Sequence, residues 1–399
     1  MPTYKLNDLV QNVINGEWGQ EISNANAGVK VIRTTNFSNT GKLDLSKEVV
    51  KRAIDINKVE KKKLLPGDII IEKSGGSPEQ PVGRVVFFEE EGLYLCNNFT
   101  SILRPNRELV VPKYFLYLMF NLYRTKRVLK FQNKTTGIIN LKLDQYLKQT
   151  DVSIPSKDAQ MRIVEVLDQA FEIINIRQAQ INALNELTKN IFIEIDSKYG
   201  EESKRKIKDI AKINPAKTII DKDSDIEVSF VPMNNVSETG ELSLKETKKL
   251  KEVYSGFTYF EENDILFAKI TPCMENGKGC IAKNLINSIG FGSTEFHIIR
   301  IESPLTIKWV YQLTMTKTFR KIAEINMTGS AGQKRVPKSF IENYKIKIPN
   351  ESDLKYFNSV FDQTESLKLK LNQLLEKEKA LYNSLLQRAF KGELLRNQF

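Results

Sequence analysis

The sequence predicts a mixed α/β protein (α+β or α/β) in which two similar domains are separated by two long antiparallel helices, the halves related by an internal pseudo-twofold repeat. Three observations carry this. The same ordered set of features occurs twice, about 195 residues apart. Each copy closes on an alternating strand that ends in proline. Each proline then leads into a helical pattern free of Pro and Gly.

The repeat is visible residue by residue. Asn36–Leu45 (NFSNTGKLDL) matches Asn235–Leu244 (NVSETGELSL) at six of ten positions. Gly67-Asp68-Ile69-Ile70 is answered by Asn263-Asp264-Ile265-Leu266, with Lys73 and Lys269 five residues after each aspartate. The closing strands are Val152-Ser-Ile154-Pro155 and Ile346-Lys-Ile348-Pro349. These landmarks give boundaries of 1–155 for the first domain, 156–200 for a central helix and linker, 201–350 for the second domain and 351–399 for a C-terminal helix.

In the first helical segment Ile163, Leu167, Ala170, Ile174, Arg177, Ile181, Leu184, Thr188 and Ile191 alternate spacings of four and three, a heptad seam. Val166, Ile173 and Leu187 widen it. In the second, Val360, Phe361, Leu367, Leu371, Leu374, Leu375, Leu381 and Leu385 fill a comparable stripe. Neither Asp158–Asp196 nor Asp353–Lys391 contains Pro or Gly, so each helix can reach roughly 55–60 Å at about 1.5 Å per residue. Such a length exceeds what one domain can cover. Packing of the two stripes on each other is the economical solution, with Ile163, Leu167, Ile174, Ile181 and Leu184 facing Phe361, Leu367, Leu371, Leu375 and Leu385. The alternative is that each helix docks separately on a partner chain. Lys198–Lys206 (KYGEESKRK) reads as a linker.

Charge and composition narrow the chemistry. Of 399 residues, 60 are Lys or Arg and 49 Asp or Glu, a net charge of +11. The excess sits in the domains: 23 basic against 16 acidic groups over residues 1–155, and 24 against 19 over 201–350. Residues 156–200 carry 5 against 7. Two basic modules joined by a near-neutral spacer suit a polyanion. No apolar run approaches the roughly 18–20 residues of a membrane span, and the first ten residues lack a secretory apolar core, so a cytoplasmic chain with no membrane partner is expected.

Catalytic classes fare poorly. His297 is the only histidine and the cysteines number three (Cys96, Cys273, Cys280), too few for a usual zinc site. His297 alternates with Phe296 and Ile298 in a strand-like run, which reads as a packed imidazole rather than a triad member. Asn214-Pro215 is followed by Ala216-Lys217, so the loop that DNA adenine methyltransferases place beside a flipped base is absent. Gly329–Lys334 lacks the spacing of a phosphate-binding loop. No catalytic residue, metal ligand or cofactor is assigned.

Nucleic-acid contact is better supported. Lys126, Arg127 and Lys130 form a basic helical cluster, followed by Lys134, Thr135 and Asn140. In the second domain Arg320 and Lys321 precede a glycine-bearing loop with Gln333, Lys334 and Arg335. Basic residues followed by a small-residue loop suit phosphate contact, and Asn, Gln, Lys and Arg are types that read base edges. The segments after Lys73 (with Ser74) and Lys269 (with Lys278) are second candidates.

At this point the chain resembles the specificity subunit of type I restriction-modification systems. Ile154–Val164 (IPSKDAQMRIV) is similar to that family's entry into its long helix, with Lys157 and Ala159 standing where the family often has Pro and Glu. Ser384–Leu394 (SLLQRAFKGEL) is similar to its C-terminal ending. The resemblance implies two target-recognition domains, each reading one half of a split, asymmetric double-stranded DNA site, with the helices as a ruler for the gap. It implies a non-catalytic subunit of an adenine N6 methyltransferase and restriction complex. Two methyltransferase (modification) subunits would bind it, joined in complete systems by two restriction/translocase subunits. S-adenosylmethionine, ATP and Mg2+ would belong to those partners. A stand-alone DNA-binding protein and a cryptic nuclease stay open at this stage. Partner dependence separates the first from the subunit reading, and cutting in Mg2+ alone would mark the second.

Overall fold

A computed structural model describes residues 1–22, 28–135, 138–218, 221–222, 224–330 and 332–394; the side chains of Lys134 and Thr135 lie outside what is described. Its internal contacts divide the chain into two units, Met1–Arg177 with Leu374–Phe399, and Gln178–Gln373. The mixed α/β class expected from the sequence is found in both.

In the first unit a four-stranded antiparallel sheet runs in the order Val10–Asn15, Thr100–Pro105, Ile69–Glu72, Val85–Phe87. Ile69, Ile70 and Ile71 are fully buried, as central-strand β-branched residues should be. A second sheet holds Val50–Arg52, Val29–Ile32 and Tyr94–Cys96, the last two parallel. The helix Pro112–Arg124 opens with proline at its first turn, where the missing N–H costs nothing, and buries Tyr114, Phe115, Leu118 and Met119.

The second unit repeats this. Ala211–Ile213, Phe296–Ile301, Ile265–Ala268 and Gly279–Ile281 form the matching four-stranded sheet, and Glu227–Val231 lies parallel to Ile289–Gly292 as Val29–Ile32 does to Tyr94–Cys96. The small closing sheets also correspond: Thr3–Lys5 pairs with Asp151–Ser153, and Lys204–Lys206 with Lys345–Lys347. The duplicated sequence motif is the same turn twice. Ser38 N donates to Lys42 O and Ser237 N to Glu241 O, both at 3.0 Å. Gly41 and Gly240 each sit in the left-handed region, at φ +82° and +91°, which explains why glycine recurs there.

The helix expectation is met in length: one helix spans Lys157–Ser197 and another Glu351–Phe390. Each passes from one unit into the other, and inside each unit the two segments run antiparallel. In the first unit Phe171 meets Tyr382, with ring centroids 5.8 Å apart, and Arg177 pairs with Glu378 at 2.8 Å. In the second, Lys368 donates to Asn185 at 2.9 Å, the hydroxyls of Thr188 and Thr364 lie 3.0 Å apart, and Phe192 packs on Trp309 and Phe357. Ile163, Leu167 and Ile181 are buried, Phe361 and Leu375 likewise, while Ile174, Leu184, Leu371 and Leu385 are half-buried.

Leu367 requires a correction: it is 48% exposed. The buried line of the second helix runs through Leu354, Phe357, Phe361 and Thr364, then Leu375 and Tyr382. Spacings of three and four carry it between Thr364 and Leu375 past Lys368 and Leu371, so Leu367 lies beside the seam. The leucines at 367, 374 and 381 keep a strict seven-residue period on that flank and stay exposed.

Candidate nucleic-acid interface

The framework of each unit is held by the same buried ion pair. Asp68, 2% exposed, takes Arg104 Nε and Nη2 at 2.9 and 2.8 Å and accepts Leu65 N. Asp264, equally buried, takes Arg300 Nε and Nη2 at 2.8 and 2.7 Å and accepts Glu261 N. The carboxylates beside Arg104 and Arg300 push both guanidinium groups above their ordinary value. A second recurring pair ties each domain to a long helix: Lys113 to Asp168 at 2.7 Å and Lys308 to Asp362 at 2.5 Å.

On this framework the two lysines singled out in the sequence sit in identical backbone settings. Lys73 N donates to Phe99 O at 2.9 Å, and Lys73 O accepts from Leu141 N at 2.8 Å. Lys269 N donates to Glu295 O at 2.9 Å, and Lys269 O accepts from Val336 N at 2.9 Å. Phe99 and Glu295 are therefore equivalent positions, and so are Asn140 and Arg335, the residues preceding Leu141 and Val336. Strand pairing agrees, with Asn140 opposite Ser74 and Arg335 opposite Ile270. Burial pushes both lysine amines below the usual value.

The side chains around the lysines differ entirely. In the first unit Lys73 Nζ donates to Asn15 at 2.7 Å, Ser74 Oγ donates to Asn140 Oδ1 at 2.6 Å, and Phe99 is 46% exposed. In the second, Arg335 Nε and Nη2 grip Glu295 at 2.9 and 2.8 Å, and Nη1 donates to Gln333 O at 3.2 Å. The Arg335 guanidinium beside Glu295 holds its carboxyl below the usual range. Sequence pattern does not point to Asn15, Phe99 or Glu295: backbone hydrogen bonds bring Phe99 and Glu295 to the two lysines, and a side-chain bond brings Asn15 to Lys73.

The other candidates divide into exposed and committed residues. Lys126, in a left-handed conformation at φ +59°, precedes the short helix Arg127–Phe131, and Lys126, Arg127 and Lys130 are exposed. Lys134 and Thr135 fall in the strand Gln132–Thr135, but their side chains lie outside the described residues. Lys321, Gln333 and Lys334 are exposed, and Lys278 is half-buried with its amine on Met233 O at 3.2 Å. Arg320 is corrected: it is 6% exposed, donates to Met274 O at 2.5 Å and Lys278 O at 3.4 Å, and burial pushes it down to about 10. The amphipathic helix Lys317–Ile325 turns that position inward, so the arginine holds a loop rather than a phosphate.

His297 is 4% exposed, with Nε2 on Val336 O at 2.8 Å and Nδ1 on Asn214 Nδ2 at 3.0 Å. The carbonyl requires Nε2 to donate, so Nδ1 accepts and the ring is neutral. Burial holds its pKa below the ordinary value. Stability from this residue is therefore complete above the unfolded value, near ~6.5, and is lost as pH falls below it, because the unfolded chain takes up a proton first. With one histidine in the chain the test is clean. The urea midpoint should drop between about pH 7 and about pH 5.5, and His297→Gln should flatten that slope.

Among the described residues no group of three His, Cys, Asp or Glu could hold a metal ion, and no helix is long and apolar enough to cross a membrane. What the fold defines is a duplicated, basic, mixed α/β framework whose two copies carry different side chains at equivalent positions. The family described as the type I restriction modification DNA specificity domain matches residues 1–186 and again residues 200–377, and the chain belongs to that family. It is similar to the type I restriction enzyme EcoEI specificity subunit of Escherichia coli, 42% identical over 149 residues, covering 37% of this chain and 25% of that protein. Against the EcoAI specificity subunit of Escherichia coli it is 43% identical over 167 residues, 41% of this chain and 28% of that one. The matched segment thus spans about a quarter of the length of these relatives. A solved type I system S subunit from M. genitalium shares the fold, with TM-score 0.54 at 10% identity over 98% of this chain and 96% of that chain. So does a chain from a study of type I R-M complex assembly, with TM-score 0.52 at 13% identity over 98% of each.

Proposed function

We propose that this chain is the DNA sequence-recognition subunit of a type I restriction-modification complex. The supporting observation is the duplication: two copies of one framework, bonded alike down to single backbone hydrogen bonds, carry different side chains at equivalent surface positions. Each unit reads one half of an asymmetric bipartite site in double-stranded DNA, and the long helices set the gap. The chain itself supplies no chemistry. Two methyltransferase subunits, carrying S-adenosylmethionine, modify adenine N6, and restriction/translocase subunits use ATP and Mg2+. The exposed apolar residues flanking the helix seam, Ile173, Ile176 and Leu187 on the first helix and Leu367, Leu374 and Leu381 on the second, are assigned to the methyltransferase subunits.

The test is to map adenine methylation in native genomic DNA with this gene present and deleted. Loss of one bipartite asymmetric motif on deletion is expected. An unchanged pattern, with the partner genes expressed, would overturn the reading and leave partner-independent DNA binding ahead.

A further inference from the structure

Resting on that function, we infer that one equivalent site in each unit decides a base pair of its half-site: Asn140 with Phe99 selects A·T in the first unit, and Arg335 held by Glu295 selects G·C in the second.

Sites that read different sequences from one framework must differ where the framework is most alike, and these positions do. Around Lys73 and Lys269 the backbone bonds coincide, yet phenyl is exchanged for carboxylate and amide for guanidinium. A shared backbone gives the two side chains the same point of origin at the sheet edge, so the sites differ in side-chain length and chemistry.

In the second unit Glu295 occupies Nε and one N–H of Nη2, and Gln333 O takes one N–H of Nη1. A guanidinium has five N–H groups, so one remains on each terminal nitrogen. Two N–H groups from adjacent nitrogens match O6 and N7 of guanine in the major groove. The carboxylate also fixes the rotamer, so little side-chain freedom is lost on contact. With its charge balanced by Arg335, Glu295 does not repel the phosphates.

In the first unit Ser74 Oγ donates to Asn140 Oδ1 at 2.6 Å and so orients the amide. An oriented asparagine can accept from adenine N6 and donate to N7. Phe99 stands beside it on a tight turn, Thr100 N donating to Asn97 O, and its carbonyl is held by Lys73 N at 2.9 Å and Ser74 N at 3.2 Å. A rigidly mounted, half-exposed phenyl offers the apolar contact that a thymine methyl takes.

The experiment uses the complete modification complex. Methylated motifs are mapped for the wild type and for the Arg335→Lys, Arg335→Gln and Asn140→Ser variants. Both Arg335 variants should make one G·C position degenerate, discrimination there falling roughly 5–150-fold, and Asn140→Ser should relax one A·T position in the other half. A wild-type complex that methylates no bipartite motif overturns the underlying function and the assignment with it. Given a wild-type motif, the assignment alone falls if the variants leave it unchanged or if both sites relax the same half. Methylation weakened uniformly with the motif unchanged in Arg335→Gln would mark Arg335 as a phosphate contact. Should the Arg335 variants not fold, Glu295→Gln keeps the arginine while weakening its lock. It should relax the same G·C position, and an unchanged motif in it overturns the proposal.

Discussion

Asp264→Asn lowers the unfolding free energy of the second unit by about 3–5 kcal/mol. The carboxylate is 2% exposed and carries both a two-point grip on Arg300 and the backbone N–H of Glu261. Arg300 also reaches Glu261 at 2.9 Å. Neutralising the aspartate leaves the Arg300 guanidinium without its main counter-charge, and a half-exposed Glu261 compensates only in part. Trp309 is fully buried in the same unit, and the only other tryptophan, Trp18, lies in the first. Urea unfolding followed by Trp309 emission in a Trp18→Phe background isolates the effect. Asp264→Asn combined with Arg300→Met should recover much of the loss, because the cost arises from the stranded charge. A midpoint unchanged in the single variant would show that the pair contributes nothing net.

The second large effect is on assembly. Leu374→Glu with Leu381→Glu changes two helix positions that are 42% and 57% exposed, so folding of the isolated chain should shift by no more than about 0.5 kcal/mol each. Glutamate is a good helix former, and neither side chain belongs to the buried seam. In the proposed docking of a methyltransferase subunit on this face, both carboxylates would be stripped of water without a partner. Association should weaken by at least a hundredfold, equivalent to roughly 3 kcal/mol. Unchanged helical circular dichroism with lost co-purification and lost genomic methylation is the expected combination. Co-purification that survives both charges would move the docking surface elsewhere.

How far the sequence could be read depended on whether a feature was carried by pattern or by partners. The duplicated turn Asn36–Leu45 and Asn235–Leu244 could be read because its glycines and hydroxyls are needed by its own backbone. The first helix seam could be read at Ile163, Leu167 and Ile181, which are apolar and buried. The second misled at Leu367: the exposed leucine stripe is more regular than the true seam, where Thr364, Lys368 and Glu378 fill heptad positions with hydrogen bonds and ion pairs. Arg320 could not be placed, since a cation among lysines gives no sign that backbone carbonyls will enclose it. Phe99 and Glu295 were invisible for a deeper reason. Their equivalence lies in the bonds of their carbonyl groups, which side-chain identity does not record.

The interleaving of the units sets an order of manufacture. Residues 178–373 form a continuous stretch, so the second unit can close as soon as that stretch leaves the ribosome. The first cannot: its core includes Tyr382, Leu386 and Ala389, made some two hundred residues after Leu167, against which they cluster. At roughly 5–20 residues per second the N-terminal domain waits tens of seconds before Tyr382, Leu386 and Ala389 can complete its core. The last turns of the C-terminal helix therefore act as a late closing element for a domain that was begun at the other end of the chain.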